Sequence, residues 1–467
     1  MNTFPVLGIL MLPVALGTFL TACLTRREPL PWPLTVAVGF GAGTGIVTNF
    51  FIVMCYLPVT ERFLWVNILA GVTAAVLFAL CVFAGVFRRR PAAPSGMIRF
   101  STLLVAAAVL YIAAFIVWCG TNIPIISWDT FETMGLKSKS IYTSQSLNHI
   151  PFRDKYDYPL HMPILMAWIS KSIGVWDNIS LKLIFTLAAA AAAAVLGYVL
   201  RAWTSLRWAV LGVALLFASG FLIFHSTIAY RDVTMMYFNC TTVLLILMWQ
   251  RSAGKMTVVL PALFAGLTSF IKLEGFGYMA MHNALWLAVL FFAKNMSVRE
   301  KVTRQLAFTA ISVGVYLIFA VYKWMYILPA VPDLAADPTH FDLNRVALAG
   351  GGGVGHRIAR VAWRYFENMF LSGNWNLVWL LFVLSLTRLD RIRQSETVRF
   401  LLLFLGMFFA VYFFGYALTQ HFVWVADKHD VLSRSILHVY PLVVAVICLI
   451  NAGDDRSVPE RGLSPSG

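Results

Sequence analysis

Long apolar runs without charged residues recur along this chain, and each approaches the length of a membrane span. One of them extends from Leu183 to Leu200. A helix needs roughly 20 apolar residues to cross the hydrocarbon layer of a bilayer. The whole chain is 60% hydrophobic and only 12% charged, whereas a typical soluble domain carries about 25% charged residues. The sequence therefore predicts an all-α, polytopic membrane protein.

The hydropathy pattern predicts about thirteen transmembrane helices. The predicted windows are 4–23, 33–58, 64–87, 101–119, 180–200, 208–226, 233–250, 257–271, 275–293, 306–328, 375–387, 400–417 and 435–451. The windows 257–271 and 375–387 are short for a span. The segment from His161 to Trp176 is apolar but also too short, and it contains Lys171. We predict an interfacial or re-entrant helix there, on the outer face.

Basic residues predict the orientation of the spans. If the N-terminus lies outside, the inner loops and the tail hold twenty of the 36 Lys and Arg residues, as the positive-inside rule requires. The N-terminus is then outside and the C-terminus cytoplasmic. This pattern also accounts for the net charge of +15, so nucleic acid is not an expected partner. We predict three parts: an N-terminal three-helix segment (1–98), a transmembrane catalytic domain (99–452) and a short cytoplasmic tail (453–467).

The sequence contains little that indicates cleavage of a signal peptide, zinc binding or disulfide formation. Met1 to Cys23 lacks a basic region ahead of its apolar run, which predicts a retained first span rather than a cleaved signal peptide. The six cysteines include no CxxC pair. We therefore expect neither a zinc site nor a disulfide framework.

Two carboxylates follow the fourth predicted span. Asp129 stands where the chain leaves the membrane, and Glu132 shares a helical face with it three residues later. A carboxylate at the outer rim can act as a general base toward an acceptor hydroxyl, so both are candidate catalytic residues. The alternative is a pair that caps a helix start.

The next outer segment combines charge with structure-breaking prolines. Arg153 and Lys155 are candidates for binding a phosphate, and Asp157 for binding a metal or a sugar hydroxyl; Tyr158 and His161 complete the candidate set. The alternative is a solvated loop with local ion pairs.

Charged residues also interrupt apolar sequence at two further outer turns. Arg231 and Asp232 are adjacent at the start of one span, and Lys272 and Glu274 lie between two others. Ionisable residues near the membrane are costly, and by default they indicate function. The alternatives are an ion pair at the interface, with side chains that extend to the headgroups, and a simple pair across a tight turn.

The last predicted span begins with Arg434, and His438 lies one turn deeper. A guanidinium at that height can grip a phosphate through its planar fork, although it can equally serve as an interfacial anchor. Arg357, Arg360 and Arg364 recur at helical spacing after a glycine run. They predict either a basic stripe on an outer interfacial helix, suited to anionic lipid, or a solvated face.

From about residue 100 the order of motifs resembles bacterial GT-C glycosyltransferases, relatives of the protein mannosyltransferases and of the lipid A aminoarabinose transferase. The resemblance is carried by these segments: Trp128-Asp129 with Lys137 and Lys139, Tyr158-Pro159-Leu160 with Pro163, Tyr230-Arg231-Asp232, the run from Ala265 to Gly275, and Ser433-Arg434 with Pro441.

The resemblance implies a location in the bacterial inner membrane, a polyprenyl-phosphate sugar donor, inversion at the anomeric carbon and Asp129 as the catalytic base. It also implies that Asp232, Lys272, Glu274 and Arg434 are donor-site or metal-site residues. A divalent cation such as Mg²⁺ or Mn²⁺, held by Asp129 and Asp232, is compatible with the scheme but not required by it.

The expected partners are the lipid-linked donor, membrane lipid and an acceptor that is a lipid, a glycan or a protein. Two alternatives use the same outer surface. One is a flippase or transporter of a lipid-linked sugar, and the other is a ligase or polymerase of lipid-linked oligosaccharides. A transporter should carry polar residues deep within its spans, and the predicted spans are mostly Ala, Leu, Val and Phe at mid-depth.

Overall fold

A computed structural model describes most of the chain. The described residues are 3–88, 100–125, 130–148, 158–252, 254, 256–294, 296–327, 329, 353–419, 421–422, 425 and 429–452. Within these ranges the secondary structure is helical, with no strand, which confirms the all-α prediction.

The first ten helices cover the N-terminal half. They are α1 (Thr3–Leu24), α2 (Trp32–Tyr56), α3 (Arg62–Phe83), α4 (Phe100–Asn122), α5 (Leu136–Ser144), α6 (His161–Ile173), α7 (Leu183–Trp203), α8 (Leu206–Phe217), α9 (Gly220–Thr227) and α10 (Arg231–Arg251). A π-helical turn, Phe131–Gly135, precedes α5, and a 3-10 turn, Ser180–Lys182, precedes α7.

Nine further helices complete the described part of the fold. They are α11 (Val259–Thr268), α12 (Gly275–Phe292), α13 (Val298–Tyr322), α14 (Val354–Phe366), α15 (Val378–Leu386), α16 (Leu389–Gln394), α17 (Glu396–Leu418), α18 (His429–Leu437) and α19 (Tyr440–Asn451). π-helical turns follow α13 at Lys323–Ile327 and α14 at Glu367–Leu371.

Eleven of the thirteen predicted spans correspond to helices or bent helix pairs of spanning length in the described ranges, so the predicted number was too high there. In the described ranges, nine helical segments are long and apolar enough to cross a membrane, and two bent pairs raise that number to eleven. The pair α8 and α9 bends by 72°, and the segment Val431–Leu437 meets α19 at 51°. The short windows 257–271 and 375–387 contain α11 and α15, of 10 and 9 residues. The chain is therefore a polytopic membrane protein.

Helix α10 forms the centre of the bundle. In its most apolar 18-residue window, 94% of the residues are buried inside the protein. Tyr237, about two turns into α10, fixes this helix against α2. Its hydroxyl donates to the carbonyl of Ala37 at 2.5 Å and accepts from the amide of Gly41 at 3.0 Å. In an uninterrupted helix the carbonyl of Ala37 and the amide of Gly41 would bond to each other. The Tyr237 hydroxyl lies between them instead, and it fixes the position of α10 along α2.

Helix α6 is the apolar segment that is too short to span. It has 13 residues, or about 20 Å at 1.5 Å per residue. Its residues from His161 to Ser170 are all buried. A helix that lies on a bilayer surface exposes one face, so burial on every side favours the re-entrant form of the prediction.

Helix α14 confirms a helix where the arginines recur, but the three side chains do not form one stripe. The Arg357 guanidinium is buried and lies 5.3 Å from the ring centroid of Phe422. Arg364 pairs with Glu367 at 2.7 Å. Of the three arginines, only Arg360 is exposed. The prediction of a continuous basic stripe was therefore wrong at Arg357, because that position faces the protein.

Small residues bring α1 and α2 into close contact. A methyl group built on Gly17 would lie 1.9 Å from the carbonyl oxygen of Gly39, and one on Gly43 would lie 1.7 Å from that of Pro13. In a membrane, where lipid tails are as apolar as leucine, such close backbone contact is what holds two helices together. The N-terminal helices are thereby built into the same bundle as α10.

We predict that Gly17→Ala lowers the free energy of unfolding by about 1–3 kcal/mol, the usual cost of overpacking. Gly8→Ala on the same helix is the matched control, since nothing lies within 4 Å of an added methyl group there. The control should be neutral or stabilising by up to about 1 kcal/mol, because alanine favours helix over glycine. Unfolding in detergent micelles measures both, and equal effects would contradict the proposed packing.

Candidate functional site

The carboxylate of Asp232 is buried at the N-terminus of α10, where basic side chains from two other segments of the chain contact it. Its Oδ1 accepts from the Lys272 ammonium at 2.9 Å, and its Oδ2 accepts from the Arg434 Nε at 3.0 Å. The His438 Nε2 lies 3.1 Å from Oδ1. Asp232 itself has no exposed surface. We call Asp232, Lys272, Arg434 and His438 the Asp232 cluster.

The turn between α11 and α12 places Lys272. Gly275 permits that turn, because a methyl group there would lie 2.1 Å from the carbonyl oxygen of Thr268. The Lys272 ammonium also donates to Glu274 Oε1 at 3.1 Å. Burial alone would lower the pKa of Lys272, but the nearby carboxylates of Asp232 and Glu274 outweigh burial and raise it. This side chain therefore stays protonated, and its stabilising contacts are lost only when the pH rises above the raised pKa.

The bend between α18 and α19 places the other two members. Arg434 is on α18, with its guanidinium 4.9 Å from the ring centroid of Tyr230. His438 lies at the bend, and its Nδ1 is 2.9 Å from the hydroxyl of Tyr278. A carboxylate only accepts hydrogen bonds, so Nε2 carries the imidazole proton and donates to Asp232. Nδ1 then accepts from the Tyr278 hydroxyl. Each hydrogen bond from Tyr278 through His438 to Asp232 therefore has one donor and one acceptor.

A second cationic group adjoins the Asp232 cluster. Arg231 donates to the carbonyl of Pro159 at 3.3 Å, and its guanidinium lies 4.7 Å from the ring centroid of Tyr158. The Lys137 ammonium lies 5.8 Å from the same ring centroid. Both cations are almost fully buried. Tyr158 thus links the segment that precedes α6 to the first turn of α10.

His161 was also a candidate, and the structure places it elsewhere. Its Nδ1 is 3.0 Å from the hydroxyl of Thr48, and its ring contacts Phe238 and Phe270 at about 5.7 and 5.6 Å between centroids. Burial lowers the pKa of His161 to about 3. It is a neutral side chain in the helix packing, and these contacts do not reach the Asp232 cluster.

Several predicted residues cannot be placed against this cluster. Asp129, Arg153, Lys155 and Asp157 lie outside the described residues. Glu132 lies in the π-helical turn before α5, but its side chain is not among those described. The catalytic role of Asp129 and Glu132 therefore stays a prediction.

The structure adds polar residues that the sequence analysis did not select. Asn239 donates to the carbonyl of His438 at 2.8 Å, and its side-chain oxygen lies 2.9 Å from His282 Nε2. His225 Nδ1 lies 4.0 Å from Asp232 Oδ2. The signal for Asn239 and His282 was available, since each stands within an otherwise apolar window. The expectation that the spans are almost free of polar residues at mid-depth was therefore too simple.

Lys182 was also overlooked, because it borders an apolar window. Its ammonium is buried and donates to the carbonyls of Cys119 and Thr227 at 3.2 and 3.0 Å. These carbonyls lie at the ends of α4 and α9, where helices present their negative poles. Lys182 thus ties two helix ends together.

The described residues do not fit a metal ion at Asp232. Both of its oxygens already accept from N–H groups of Lys272, Arg434 and His438. Within the described ranges, no group of three His, Cys, Asp or Glu side chains converges as a metal site requires. A divalent cation would have to be held through Asp129, which is not described.

The arrangement of helices is similar to that of a solved structure. This structure, that of ArnT from Cupriavidus metallidurans bound to undecaprenyl phosphate, matches with a TM-score of 0.50 and 16% sequence identity. The match covers 74% of this chain and 59% of that one, so this chain spans about three fifths of the length of that structure. No protein-family model and no curated protein matches this chain. At this level of identity the likeness concerns the fold alone.

We predict that Asp232→Asn destabilises the protein by about 3–5 kcal/mol, because it leaves buried cations without their counter-ion. The matched control is Glu300→Gln, which breaks a partly exposed pair with Arg304 of similar length, 2.8 Å. Exposed pairs contribute about 1 kcal/mol or less. Denaturation of both variants in detergent checks the difference, and a small effect at Asp232 would contradict its role as the counter-ion.

Proposed function

We propose that this chain is a membrane glycosyltransferase that moves a sugar from a polyprenyl-phosphate carrier to an acceptor at the outer face of the bacterial inner membrane. The observation that carries the proposal is the Asp232 cluster, in which Lys272 and Arg434 both contact one buried carboxylate within the helical bundle. Arginine and lysine are the residues that hold phosphate oxygens.

Helix geometry supports an anionic ligand at the same place. Helices α10 and α12 both begin there, at Arg231 and Gly275, so the positive poles of two helix dipoles lie beside the cluster. The N-cap side chains, Tyr230 and Glu274, make no capping hydrogen bond to their helices. Helix N-termini of this kind favour phosphate.

In this proposal Asp232 is a positioning residue and not the base. Its oxygens already accept three N–H groups, and a carboxylate engaged in that way has little tendency to take a proton. It holds Lys272 and Arg434 in fixed positions before the substrate arrives. Cations that need no rearrangement stabilise charge in the transition state most effectively.

The proposed reaction is a single displacement. The acceptor hydroxyl gives its proton to Asp129 as its oxygen attacks the anomeric carbon. The bond from that carbon to the phosphate oxygen breaks, and the electron pair stays on the lipid phosphate. Lys272 and Arg434 stabilise the departing phosphate, and the attack from the opposite side inverts the anomeric carbon.

We expect undecaprenyl phosphate to raise the unfolding temperature of the purified protein, and undecaprenol, which lacks the phosphate, to leave it unchanged. At a hundred times the dissociation constant, a ligand stabilises by about 2.7 kcal/mol. Arg434→Gln and Lys272→Met should abolish the shift. The control Arg207→Gln, at an exposed cation in the first turn of α8, should keep it. A shift of equal size with undecaprenol would argue against phosphate recognition.

We expect Asp129→Asn to reduce sugar transfer by about 10²- to 10⁴-fold, the usual contribution of a general base. The assay uses radiolabelled polyprenyl-phosphate sugars as donors and extracted envelope lipids, glycans and proteins as acceptors. The undecaprenyl phosphate shift should persist in this variant, since Asp129 has no part in holding the phosphate. Undiminished transfer would remove Asp129 as the base.

A further inference from the structure

Two cysteines meet at one end of α1 and α3, far along the chain from the Asp232 cluster. Cys23 is the second-last residue of α1, and Cys81 is the third-last residue of α3. Their Sγ atoms are 3.0 Å apart. The other four cysteines lie on other helices, and none of the six is in a disulfide bond.

The two thiols are held in reciprocal contacts across the helix pair. Cys23 Sγ donates to the carbonyl of Leu77 on α3 at 3.6 Å, and Cys81 Sγ lies 3.5 Å from the carbonyl of Phe19 on α1. Each acceptor is four residues before the cysteine of the other helix, one turn earlier. The two side chains are therefore locked facing each other by the packing, and the contact does not depend on a chance rotamer.

Aromatic packing reinforces this approach of the helices. The rings of Phe19 and Phe78 lie 5.2 Å apart, one turn from the sulfurs. Cys81 is fully buried, whereas Cys23 retains some exposure. An oxidant therefore reaches Cys23 first and finds Cys81 already adjacent, which is the arrangement of an attacked thiol beside a resolving one.

We infer that Cys23 and Cys81 form a reversible redox pair, which a peroxide converts to a disulfide that joins α1 to α3. Peroxide oxidises the Cys23 thiol to a sulfenic acid and releases water. The Cys81 sulfur then attacks the Cys23 sulfur, and a second water leaves. In sum, two thiols and one peroxide give one disulfide and two waters, so the thiols are oxidised and the peroxide is reduced.

Formation of the disulfide requires little movement of the backbone. A disulfide bond is about 2.05 Å long, so the sulfurs must approach by about 1 Å from their present separation. Helix α3 has mostly lipid-facing sides, with only 22% of its most apolar window buried. The bond would fix a peripheral helix to α1, which is itself packed closely on α2.

The test uses the full-length protein in membranes, treated with hydrogen peroxide and then with an alkylating reagent. Tryptic digestion separates the partners, since Cys23 lies in peptide 1–26 and Cys81 in peptide 63–88, each with one cysteine. We expect these two peptides to be linked after oxidation and released by a thiol reductant. Recovery of both peptides fully alkylated, or a link between other cysteines at the same dose, would overturn the inference.

Three variants complete the design. Peroxide should also raise the unfolding temperature of the wild-type protein, since a disulfide constrains the unfolded chain. Cys23→Ser should remove this oxidant-dependent rise and leave Cys81 alkylatable after peroxide. Cys119→Ser, a buried cysteine on α4, should leave both results unchanged. Cys81→Ala serves as the second test if Cys23→Ser fails to fold. An oxidant-dependent rise that survives both Cys23→Ser and Cys81→Ala would likewise contradict the pair.

Discussion

A carboxylate buried among membrane helices has to be matched by positive charge, because neither lipid nor packed side chains can solvate it. Asp232 meets that requirement with the Lys272 ammonium and the Arg434 guanidinium, and the neutral His438 imidazole donates a further hydrogen bond; all three lie within about 3.1 Å of its oxygens. These partners come from the turn before α12 and from the bend between α18 and α19. One buried anion thus ties three parts of the bundle to a common point.

The rest of the bundle determines where that point lies. Tyr237 sets the depth of α10 against α2, and Gly17, Gly39 and Gly43 let α1 approach α2 closely. The three glycines are far along the chain from the site. Because α10 carries both Tyr237 and Asp232, packing among the first helices is transmitted to the cluster by one rigid element.

The same electrostatic arrangement gives the acidic residues different roles in the proposed mechanism. A carboxylate saturated with cations positions them and is unsuited to accept a proton, so a separate carboxylate is needed for acid–base chemistry. In the proposed mechanism that residue is Asp129, at the end of the segment after α4. Tyr158 and Arg231 connect the segment before α6 to α10, beside the cations that would hold the lipid phosphate.

The sequence by itself determined that the protein lies in a membrane and where the spans are, approximately. It also indicated which acidic and basic residues are candidates for a functional site. Hydropathy and charge are local properties, so a window of about twenty residues is enough to recognise them. They sufficed to select Asp232, Lys272 and Arg434, but they also selected His161, which the structure buries against Thr48 away from the cluster.

Only the tertiary structure decided which charges pair, where spans bend, and that Asn239, His282 and Tyr278 extend the polar network into the bundle. Such pairings join residues up to 206 positions apart in the chain. They depend on the rotation and depth of each packed helix, which no local pattern specifies.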